Sequence, residues 1–241
     1  MNENLLTLEG VHTHIGAYHI LHGVDLQVPR GQLTMLLGRN GAGKTTTLRT
    51  IMGLWQTSQG RITFNGQDIT HRHTPAIAAL DIAYVPENMG IFADLTVKEN
   101  MLLAARQARH ARDMDEERLQ WIFKLFPAVE KFWNHPAGKL SGGQKQMLAV
   151  SRAIVEPRRL LIVDEPSKGL APVMIDNMIT AFQQLKASGV TILLVEQNIN
   201  FAKRLGDRVA VMDDGRVVHA GAMQALAEDE VLQQSLLGLA L

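Results

Sequence analysis

The feature that most constrains this chain is the glycine-rich segment GRNGAGKT at residues 38–45. It fits the pattern G-x-x-x-x-G-K-[ST], in which glycines let backbone N–H groups wrap around phosphates. An apolar run at residues 34–37 precedes the segment, and a helical pattern at 44–52 follows it. The segment therefore predicts a phosphate-binding loop between a buried strand and a helix, which is typical of an α/β fold.

The residue types inside this loop indicate how it would hold a nucleotide. The amino group of Lys44 can reach the β- and γ-phosphates, and the hydroxyl of Thr45 can ligate Mg²⁺. The sequence therefore predicts a bound nucleoside triphosphate with Mg²⁺. The predicted nucleotide contacts in this segment are Gly38, Arg39, Asn40, Gly41, Ala42, Gly43, Lys44, Thr45 and Thr46.

Two adjacent carboxylates follow an apolar run later in the chain. Residues 160–163 are Leu-Leu-Ile-Val, and Asp164 and Glu165 come directly after them. In open α/β sheets, ligands bind at the carboxyl ends of the strands. Beside a phosphate-binding loop, Asp164 is therefore placed to hold Mg²⁺ and Glu165 to polarise the attacking water. Without that loop, a strand that ends in solvated acids would be the better interpretation.

Strands alternate with helices along most of the chain, which predicts an α/β core with a largely parallel sheet. Predicted strands outside the two motifs are 5–8, 24–28, 82–85 and 191–195, with hairpins at 61–66 and 208–219. Predicted helices are 97–126, 144–154, 172–187 and a tail from residue 222. We expect one domain over residues 1–241, with a helical subdomain at about 88–155 inserted in the core.

Composition excludes several classes of protein. Lys+Arg and Asp+Glu both number 24, and the zero net charge argues against a nucleic-acid binder with a generally basic surface. The chain has no cysteine, which excludes disulfides and thiolate metal sites. No apolar run approaches the ~20 residues that span a bilayer. The N-terminus lacks the pattern of an export signal, so we expect a cytoplasmic protein that could still sit on a membrane protein.

A second glycine-rich helix start is present in LSGGQKQ at residues 140–146. A helix that opens with Ser141, Gly142 and Gly143 exposes its first backbone N–H groups to an anion. Alone, this pattern is common and fits an ordinary helix start with a serine cap. Its place between the phosphate-binding loop and the strand with two acids makes it informative.

These three segments, in this order, resemble the ATP-binding cassette family, the ATPase subunits of ABC transporters. The resemblance covers nearly the whole chain. It implies an α/β fold with a P-loop NTPase core, a mostly parallel sheet, an N-terminal antiparallel β-subdomain and a helical subdomain that carries the signature motif. It also implies ATP as the nucleotide and a head-to-tail pair of cassettes. The signature residues that would contact the partner's ATP are Ser141, Gly142, Gly143 and Gln144.

Two family positions near the reacting phosphate carry unusual residues here. After residues 82–85, the family has a glutamine that touches Mg²⁺ and water, and Glu87 stands at that position. A carboxylate can do the same with an added negative charge. After residues 191–195, the family usually has a histidine that contacts the γ-phosphate, and Gln197 stands there. Gln197 can donate a hydrogen bond but cannot carry a proton charge.

Two further positions depart from the family pattern. Ala171 stands where an aspartate often ends the loop after the two acids. The aromatic residue that usually stacks on adenine aligns with Ile15, which leaves an apolar contact, while Tyr18 lies close in sequence. The resemblance thus implies Glu165 and Gln197 as catalytic residues and Ile15 as an adenine contact.

Together the departures resemble one of the two ATPases of branched-chain amino acid importers of the leucine/isoleucine/valine type. Urea and short-chain amide importers are similar, as are other amino acid importers. Lys168 fills a position that is usually apolar in this subgroup, and the sequence does not explain it.

The resemblance implies several partners. They are a second ATPase subunit, identical or different, two transmembrane permease subunits and, indirectly, a periplasmic or extracellular solute-binding protein, with no nucleic acid. The chain would be peripheral on the inner face of the cell membrane. Met89, Ile91 and Phe92, which follow Glu87, are candidates for permease docking, although buried anchors of a surface loop explain each of them equally well.

Other interpretations stay open at this point. A soluble cassette ATPase that acts on ribosomes or DNA would usually carry two cassettes or a long coiled coil, and this chain has one P-loop. A regulatory cassette that hydrolyses poorly would fit Gln197 and Ala171 but not Glu165. His12 and His14 share a strand face, which permits a metal site, but solvated or half-buried histidines are the favoured interpretation.

Overall fold

The computed structural model describes residues 3–105, 108, 110 and 113–238. Its strands, in chain order, are β1 (Asn4–Ile15), β2 (Tyr18–Pro29), β3 (Leu33–Gly38), β4 (Thr57–Phe64), β5 (Gln67–Asp68), β6 (Ile82–Val85), β7 (Leu160–Asp164), β8 (Thr191–Glu196), β9 (Arg208–Asp213) and β10 (Arg216–Ala222). They form a four-stranded sheet in the order β2-β1-β4-β5 and a six-stranded sheet in the order β10-β9-β3-β8-β7-β6.

The helices surround the six-stranded sheet and connect its strands. They are α1 (Lys44–Ile51), α2 (Thr74–Ala78), α3 (Val97–Ala104), α4 (Glu116–Leu125), α5 (Pro127–Lys131), α6 (Gly142–Ala153), α7 (Pro172–Ala187), α8 (Ile199–Leu205), α9 (Met223–Glu228) and α10 (Glu230–Leu237). A short 3-10 helix at Ala137–Lys139 precedes α6. In the described residues, no helix is both long enough and apolar enough to cross a membrane.

The six-stranded sheet is parallel except for its edge strand β10, which pairs antiparallel with β9. Strands β3, β7 and β8 are buried along their whole length. Side chains alternate between the two faces of a strand. Leu37 and Val163 therefore join the core under α3–α9, whereas Leu36 and Ile162 join the core shared with the four-stranded sheet and α1. The predicted α/β fold is confirmed.

The antiparallel sheet confirms the N-terminal strands and extends them. Sequence predicts strands at 5–8 and 24–28, but β1 and β2 continue to a hairpin turn at Gly16, where φ is 60°. The apolar alternation stops being visible at Thr13, which is fully buried. Its hydroxyl lies 3.1 Å from the Thr50 hydroxyl of α1, so a hydrogen-bonded polar residue occupies a core position.

The segment between β6 and β7 holds helices α3 to α6. The single helical region predicted at 97–126 is two helices, because α3 ends at Ala104 and its C-cap, Ala105, has an extended ψ of 94°. Residues 106, 107, 109, 111 and 112 of that predicted helix lie outside the described part of the chain. Helix α6 begins at Gly142, two residues before the predicted start, directly after its cap Ser141.

The loop between β6 and α3 is tied to its helix by one buried amide. Asn100 is fully buried, accepts from Phe92 N at 3.0 Å, and donates to Phe92 O at 2.9 Å and Thr96 O at 3.0 Å. Thr96 and Glu99 form a reciprocal capping box at the start of α3. Hydrogen bonds to Asn100 and the capping box therefore fix the backbone of the loop that follows Glu87.

Candidate functional site

The carboxyl ends of three neighbouring strands meet at one edge of the central sheet. Strand β8 lies between β3 and β7 and pairs parallel with both. Gly38, Asp164 and Glu196 are the last residues of β3, β7 and β8. The P-loop, the two adjacent acids and Gln197 are thereby brought together, although they lie far apart in the sequence.

The P-loop has the backbone conformations that its glycines allow. Gly41 and Gly43 have φ of 82° and 98°, in the left-handed region that disfavours other residues. A Cβ on Gly38, at φ 152°, would lie 2.4 Å from the carbonyl oxygen of Met212. Helix α1 follows without a side-chain cap, so its first N–H groups remain available for an anion.

Lys44 is held inside the loop. Its side chain is 4% exposed, and Nζ donates to the carbonyl oxygens of Gly38 at 2.8 Å and Arg39 at 2.9 Å. Nζ also lies 3.7 Å from Glu165 Oε1. Burial lowers the pKa of the Lys44 ammonium, while Glu165 and Asp164 act against this shift. A buried cation with acidic neighbours thus occupies the interior of the loop.

Asp164 and Thr45 form the polar floor beside Lys44. Thr45 Oγ1 donates to Asp164 Oδ1 at 3.3 Å, and the Asp164 side chain is fully buried. Among the described residues, Asp164 Oδ2 has no hydrogen-bond partner. Burial raises the pKa of Asp164 to about 6, with further contributions from Glu165 and Glu87. A hydroxyl beside a buried carboxylate with an unpartnered oxygen fits Mg²⁺, which prefers oxygen ligands.

Asp164 should make the stability of the nucleotide-free chain depend on pH. Its pKa in the folded chain, about 6, exceeds its ordinary value of 3.8, so its contribution to stability is lost as pH rises from 3.8 to about 6. We expect Asp164→Asn to raise the free energy of unfolding at pH 7 by about 1–3 kcal/mol in EDTA. Urea unfolding at pH 4 and pH 7 measures this change, which should be much smaller at pH 4. Asp94→Asn, in an exposed loop, should show no such difference.

Glu165 adopts an unusual backbone conformation. Its φ is 47°, which is uncommon for a residue with a side chain and costs energy. A hydrogen bond from Glu165 N to Val195 O at 3.0 Å holds it. The side chain is only 8% exposed, and Oε1 accepts from Gln197 Nε2 at 2.5 Å. Gln197 Nε2 also donates to Asn40 Oδ1 at 2.8 Å, which links β7, β8 and the P-loop.

Glu196 is a residue of this site that sequence reasoning missed. It is 2% exposed and accepts backbone N–H bonds from Ser167 at 2.9 Å and Gln197 at 3.2 Å. Burial raises its pKa, and the bonds from Ser167 oppose the shift. It therefore fixes the loops that carry Gln197 and Lys168. The sequence does contain a signal for this residue. Glu196 directly follows the apolar run 191–195, just as Asp164 directly follows the apolar run 160–163.

Glu87 and Lys168 form an ion pair at the mouth of the site. Lys168 Nζ lies 2.5 Å from Glu87 Oε1 and 3.5 Å from Glu165 Oε2. The hydrogen bond that Lys168 donates to Glu87, followed by the charge of Glu165, raises the pKa of Lys168. The structure thus gives Lys168 two acidic neighbours that its sequence position does not reveal. Ala171 caps α7 without a side-chain hydrogen bond.

The LSGGQ segment is the start of α6. Ser141 Oγ accepts from Gln144 N at 3.4 Å, and Gln144 Oε1 accepts from Ser141 N at 2.9 Å, so the two residues form a capping box. Ser141 and Gly142 are exposed, and a Cβ on Gly142 would meet nothing within 4 Å. Gly143 is buried, and a Cβ there would lie 2.6 Å from Met174 Cε. Gly142 therefore faces open space, whereas Gly143 permits close packing against α7.

Ile15 and Tyr18 flank the tip of the β1–β2 hairpin. They are cross-strand partners and therefore share one face, the face of Thr13, which contacts α1. Ile15 is half-buried and Tyr18 is 75% exposed. Both side chains thus lie on the side of the hairpin that is turned toward the helix following the P-loop.

The clustered histidines occupy the opposite face of this hairpin. His14 and His19 stack with ring centroids 4.1 Å apart, and His12 Nδ1 lies 3.0 Å from His19 Nε2. His22 lies against His19 at 4.1 Å. In the part of the chain that the structure describes, no group of three or more histidine or acidic side chains is arranged to hold a metal ion.

Comparison with known proteins agrees with this geometry. Residues 21–168 match the family described as ABC transporter. The high-affinity branched-chain amino acid transport ATP-binding protein BraG of Pseudomonas aeruginosa is 37% identical over 236 residues, which cover 97% of this chain and 100% of BraG.

Solved structures are similar over nearly the same length. An ATP-binding cassette of an ABC transporter in its ADP conformation has a TM-score of 0.81 and 25% identity over 98% of this chain and 99% of its own. A dimeric bacterial ABC transporter cassette has a TM-score of 0.80 and 25% identity over 90% of this chain and 98% of its own. The likeness to the first of these extends over nearly the whole length of this chain.

Proposed function

This chain belongs to the ABC transporter family of ATP-binding cassettes, and from that premise we propose that it hydrolyses ATP to power an importer of branched-chain amino acids. The observation that carries the proposal is the meeting of Lys44, Asp164, Glu165 and Gln197 at one edge of the sheet. A buried cation, a buried carboxylate beside a hydroxyl, and a second carboxylate held by an amide are the groups that phosphoryl transfer to water requires.

ATP binding is the first step of the proposed mechanism. The loop at residues 38–46 wraps the triphosphate with its N–H groups, and the uncapped start of α1 adds its positive dipole end. Lys44 Nζ donates hydrogen bonds to Gly38 O and Arg39 O in the structure. With ATP bound, its charge neutralises the β- and γ-phosphates. Ile15 contacts the adenine ring on the α1-facing side of the hairpin.

Thr45, Asp164 and Glu87 are the residues that would hold Mg²⁺. When bound, the ion would neutralise charge on the phosphates. The buried Asp164 Oδ2, which has no partner among the described residues, supports this assignment. Burial raises the pKa of Asp164 to about 6, so the carboxylate is mostly ionised at pH 7 and a bound cation would stabilise that charge.

Hydrolysis is assigned to Glu165 with Gln197. Glu165 accepts a proton from the attacking water, whose oxygen forms a bond to the γ-phosphorus while the bond to ADP breaks. Gln197 Nε2 donates to Glu165 Oε1 and Asn40 Oδ1, so the amide holds the carboxylate against the P-loop. The neutral amide of Gln197 then orients the reacting groups without carrying a proton.

A second cassette would complete the ATP site. The exposed Ser141 and Gly142 lie at the start of a helix whose dipole favours a phosphate. The dimeric cassette structure with a TM-score of 0.80 supports pairing of this kind. We assign Ser141, Gly142, Gly143 and Gln144 to the partner's ATP, with Gly143 acting through its close packing on Met174.

Two permease subunits would receive the closing motion through the segment after Glu87. A cavity of about 900 Å³ lies beside it, lined by Leu54, Trp55, Tyr84 and Pro86 among others. Phe92 is half exposed, whereas Met89 and Ile91 pack partly against the core. We therefore assign docking to this cavity and Phe92, and structural anchoring to Met89 and Ile91. The chain would sit on the inner face of the membrane, and a solute-binding protein outside would act indirectly.

The substrate assignment rests on similarity to BraG over the full length of both chains. In cells that lack this chain, we expect uptake of radiolabelled leucine, isoleucine and valine to fall to background. Wild-type chain should restore it, and Lys44→Ala should not, because the variant cannot neutralise the phosphates. A Glu130→Gln chain, changed at an exposed position on α5, serves as the expression-matched control.

The same uptake measurement separates the alternatives. Unchanged leucine uptake with lost uptake of urea or short-chain amides would reassign the substrate while keeping the ATPase. Unchanged uptake of all these solutes would contradict import of branched-chain amino acids, urea and short-chain amides through this chain.

A further inference from the structure

Lys168 joins acidic side chains from two neighbouring strands at the proposed ATP site. Its Nζ lies 2.5 Å from Glu87 Oε1 and 3.5 Å from Glu165 Oε2. Glu87 follows β6 and Glu165 follows β7, and these strands pair in the central sheet. The lysine therefore links the acid assigned to water activation with the acid at the start of the segment assigned to permease docking.

The turn that carries Lys168 is held at both ends. Lys168 N donates to Glu165 O at 3.2 Å, which folds the chain back toward Glu165. Ser167 N donates to the buried Glu196 at 2.9 Å. Gly169, at φ 71°, supplies the left-handed conformation that continues the turn. The position of the Lys168 backbone is thus set by buried groups, not by the ion pair alone.

The site carries several negative charges that the ammonium group of Lys168 can offset. Glu165 and Glu87 both repel the charge of Asp164, so three carboxylates surround a site that must accept a triphosphate. Lys44 on the P-loop and Arg49 on α1 offset part of this charge from the other side. Glu87 adds a negative charge where a neutral glutamine would suffice, and Lys168 lies directly against it.

We propose that Lys168 is a positioning residue for ATP hydrolysis, which holds the Glu165 carboxylate at the sheet edge and offsets the charge that Glu87 brings. The inference rests on the proposed function, because Glu165 has this role only in an ATPase. Lys168 is 57% exposed, so solvent weakens the bridge and its effect is smaller than that of the catalytic acid.

Kinetics of the assembled transporter test this role. We expect Lys168→Met to lower kcat about fivefold, the size of a partly exposed ion pair, with little change in KM for ATP. Lys168→Arg should recover most of the loss, because it keeps a cation. In a Glu87→Gln background, Lys168→Met should cost less than about twofold, since the charge it offsets is gone. Arg204→Met is the matched control, because Arg204 pairs with Asp176 at 2.6 Å with similar exposure, between α7 and α8.

A spectroscopic measurement tests the bridge without turnover. In full-length chain labelled with ¹⁵N-lysine, the Nζ signal of Lys168 is identified by its loss in Lys168→Met. Glu87→Gln and Glu165→Gln should each shift that signal, whereas Asp176→Asn should not. Thermal unfolding of each variant checks that the fold is retained.

Several results would overturn the inference. One is full ATPase activity of Lys168→Met in an active assembly, and another is an equal loss of kcat on Lys168→Met with Glu87 and with Glu87→Gln. A loss of kcat in Arg204→Met similar to that in Lys168→Met would also overturn it. So would an Nζ signal of Lys168 that shifts in neither Glu87→Gln nor Glu165→Gln. A wild-type assembly without ATPase activity would overturn the proposed function as well, so the two failures are distinguishable.

Discussion

Replacement of Glu165 by glutamine is expected to lower the ATP turnover of the assembled transporter by at least about 100-fold, the usual contribution of a positioned general base. Glutamine keeps the shape and the contact with Gln197 but cannot accept a proton from water. ATP binding should persist, since Lys44 and the P-loop are unchanged. Turnover is measured by phosphate release, and binding by equilibrium dialysis with labelled ATP.

Two further variants define the meaning of that result. Lys44→Ala should lose both binding and turnover, because the buried ammonium is the cation inside the loop. Glu130→Gln, on α5 and away from the sheet edge, should change neither. Unchanged turnover in both Glu165→Gln and Lys44→Ala would refute the catalytic assignment. Loss of ATP binding in Glu165→Gln would instead indicate a structural role for this strained residue.

Replacement of Ser141 by arginine should stop hydrolysis in the composite site while this chain's own P-loop still binds ATP. Ser141 and Gly142 are exposed, and Ser141 makes its capping hydrogen bonds with Gln144 of the same helix. A long cationic side chain there should block the approach of a partner's γ-phosphate and reduce turnover by at least about tenfold, as the loss of a well-placed transition-state contact does. The measurement combines labelled-ATP binding to the isolated chain with phosphate release by the assembly.

The capping role of Ser141 requires its own control. Loss of the cap alone costs about 1 kcal/mol of stability. Ser141→Thr keeps both the hydroxyl and the cap, and should retain most of the activity. If Ser141→Arg weakened ATP binding at its own P-loop while the partner's turnover survived, the assignment of this helix start to a second chain would be wrong.

Local patterns were sufficient to predict the central elements of the fold. Strand β6 and helix α7 have the predicted bounds, because an apolar run and a proline at a helix start act within a few residues. The turn at Asn65 and Gly66 was equally predictable, since both residues adopt the positive φ that this dipeptide favours. The P-loop, Asp164 and Glu165 could be selected as candidates for the same reason.

Other features depend on residues that are distant in sequence and could not be predicted. The length of the β1–β2 hairpin depends on Thr13, whose burial is made possible by Thr50 of α1. Gly143 is required by Met174, thirty-one positions away in a different helix. Glu196 has its role because Ser167 and Gln197 both donate to it. No periodicity in the sequence reports such pairings.

The sequence by itself determined the family, the α/β fold and the candidate residues for nucleotide binding, because glycines, buried strands and helix starts express their preferences locally. Only the tertiary structure decided how those residues act on one another. It brought Lys168 against Glu87 and Glu165, and it made Asp164 a buried carboxylate with a pKa of about 6. Distances and burial set charge interactions, and both exist only when strands from separate parts of the chain lie side by side.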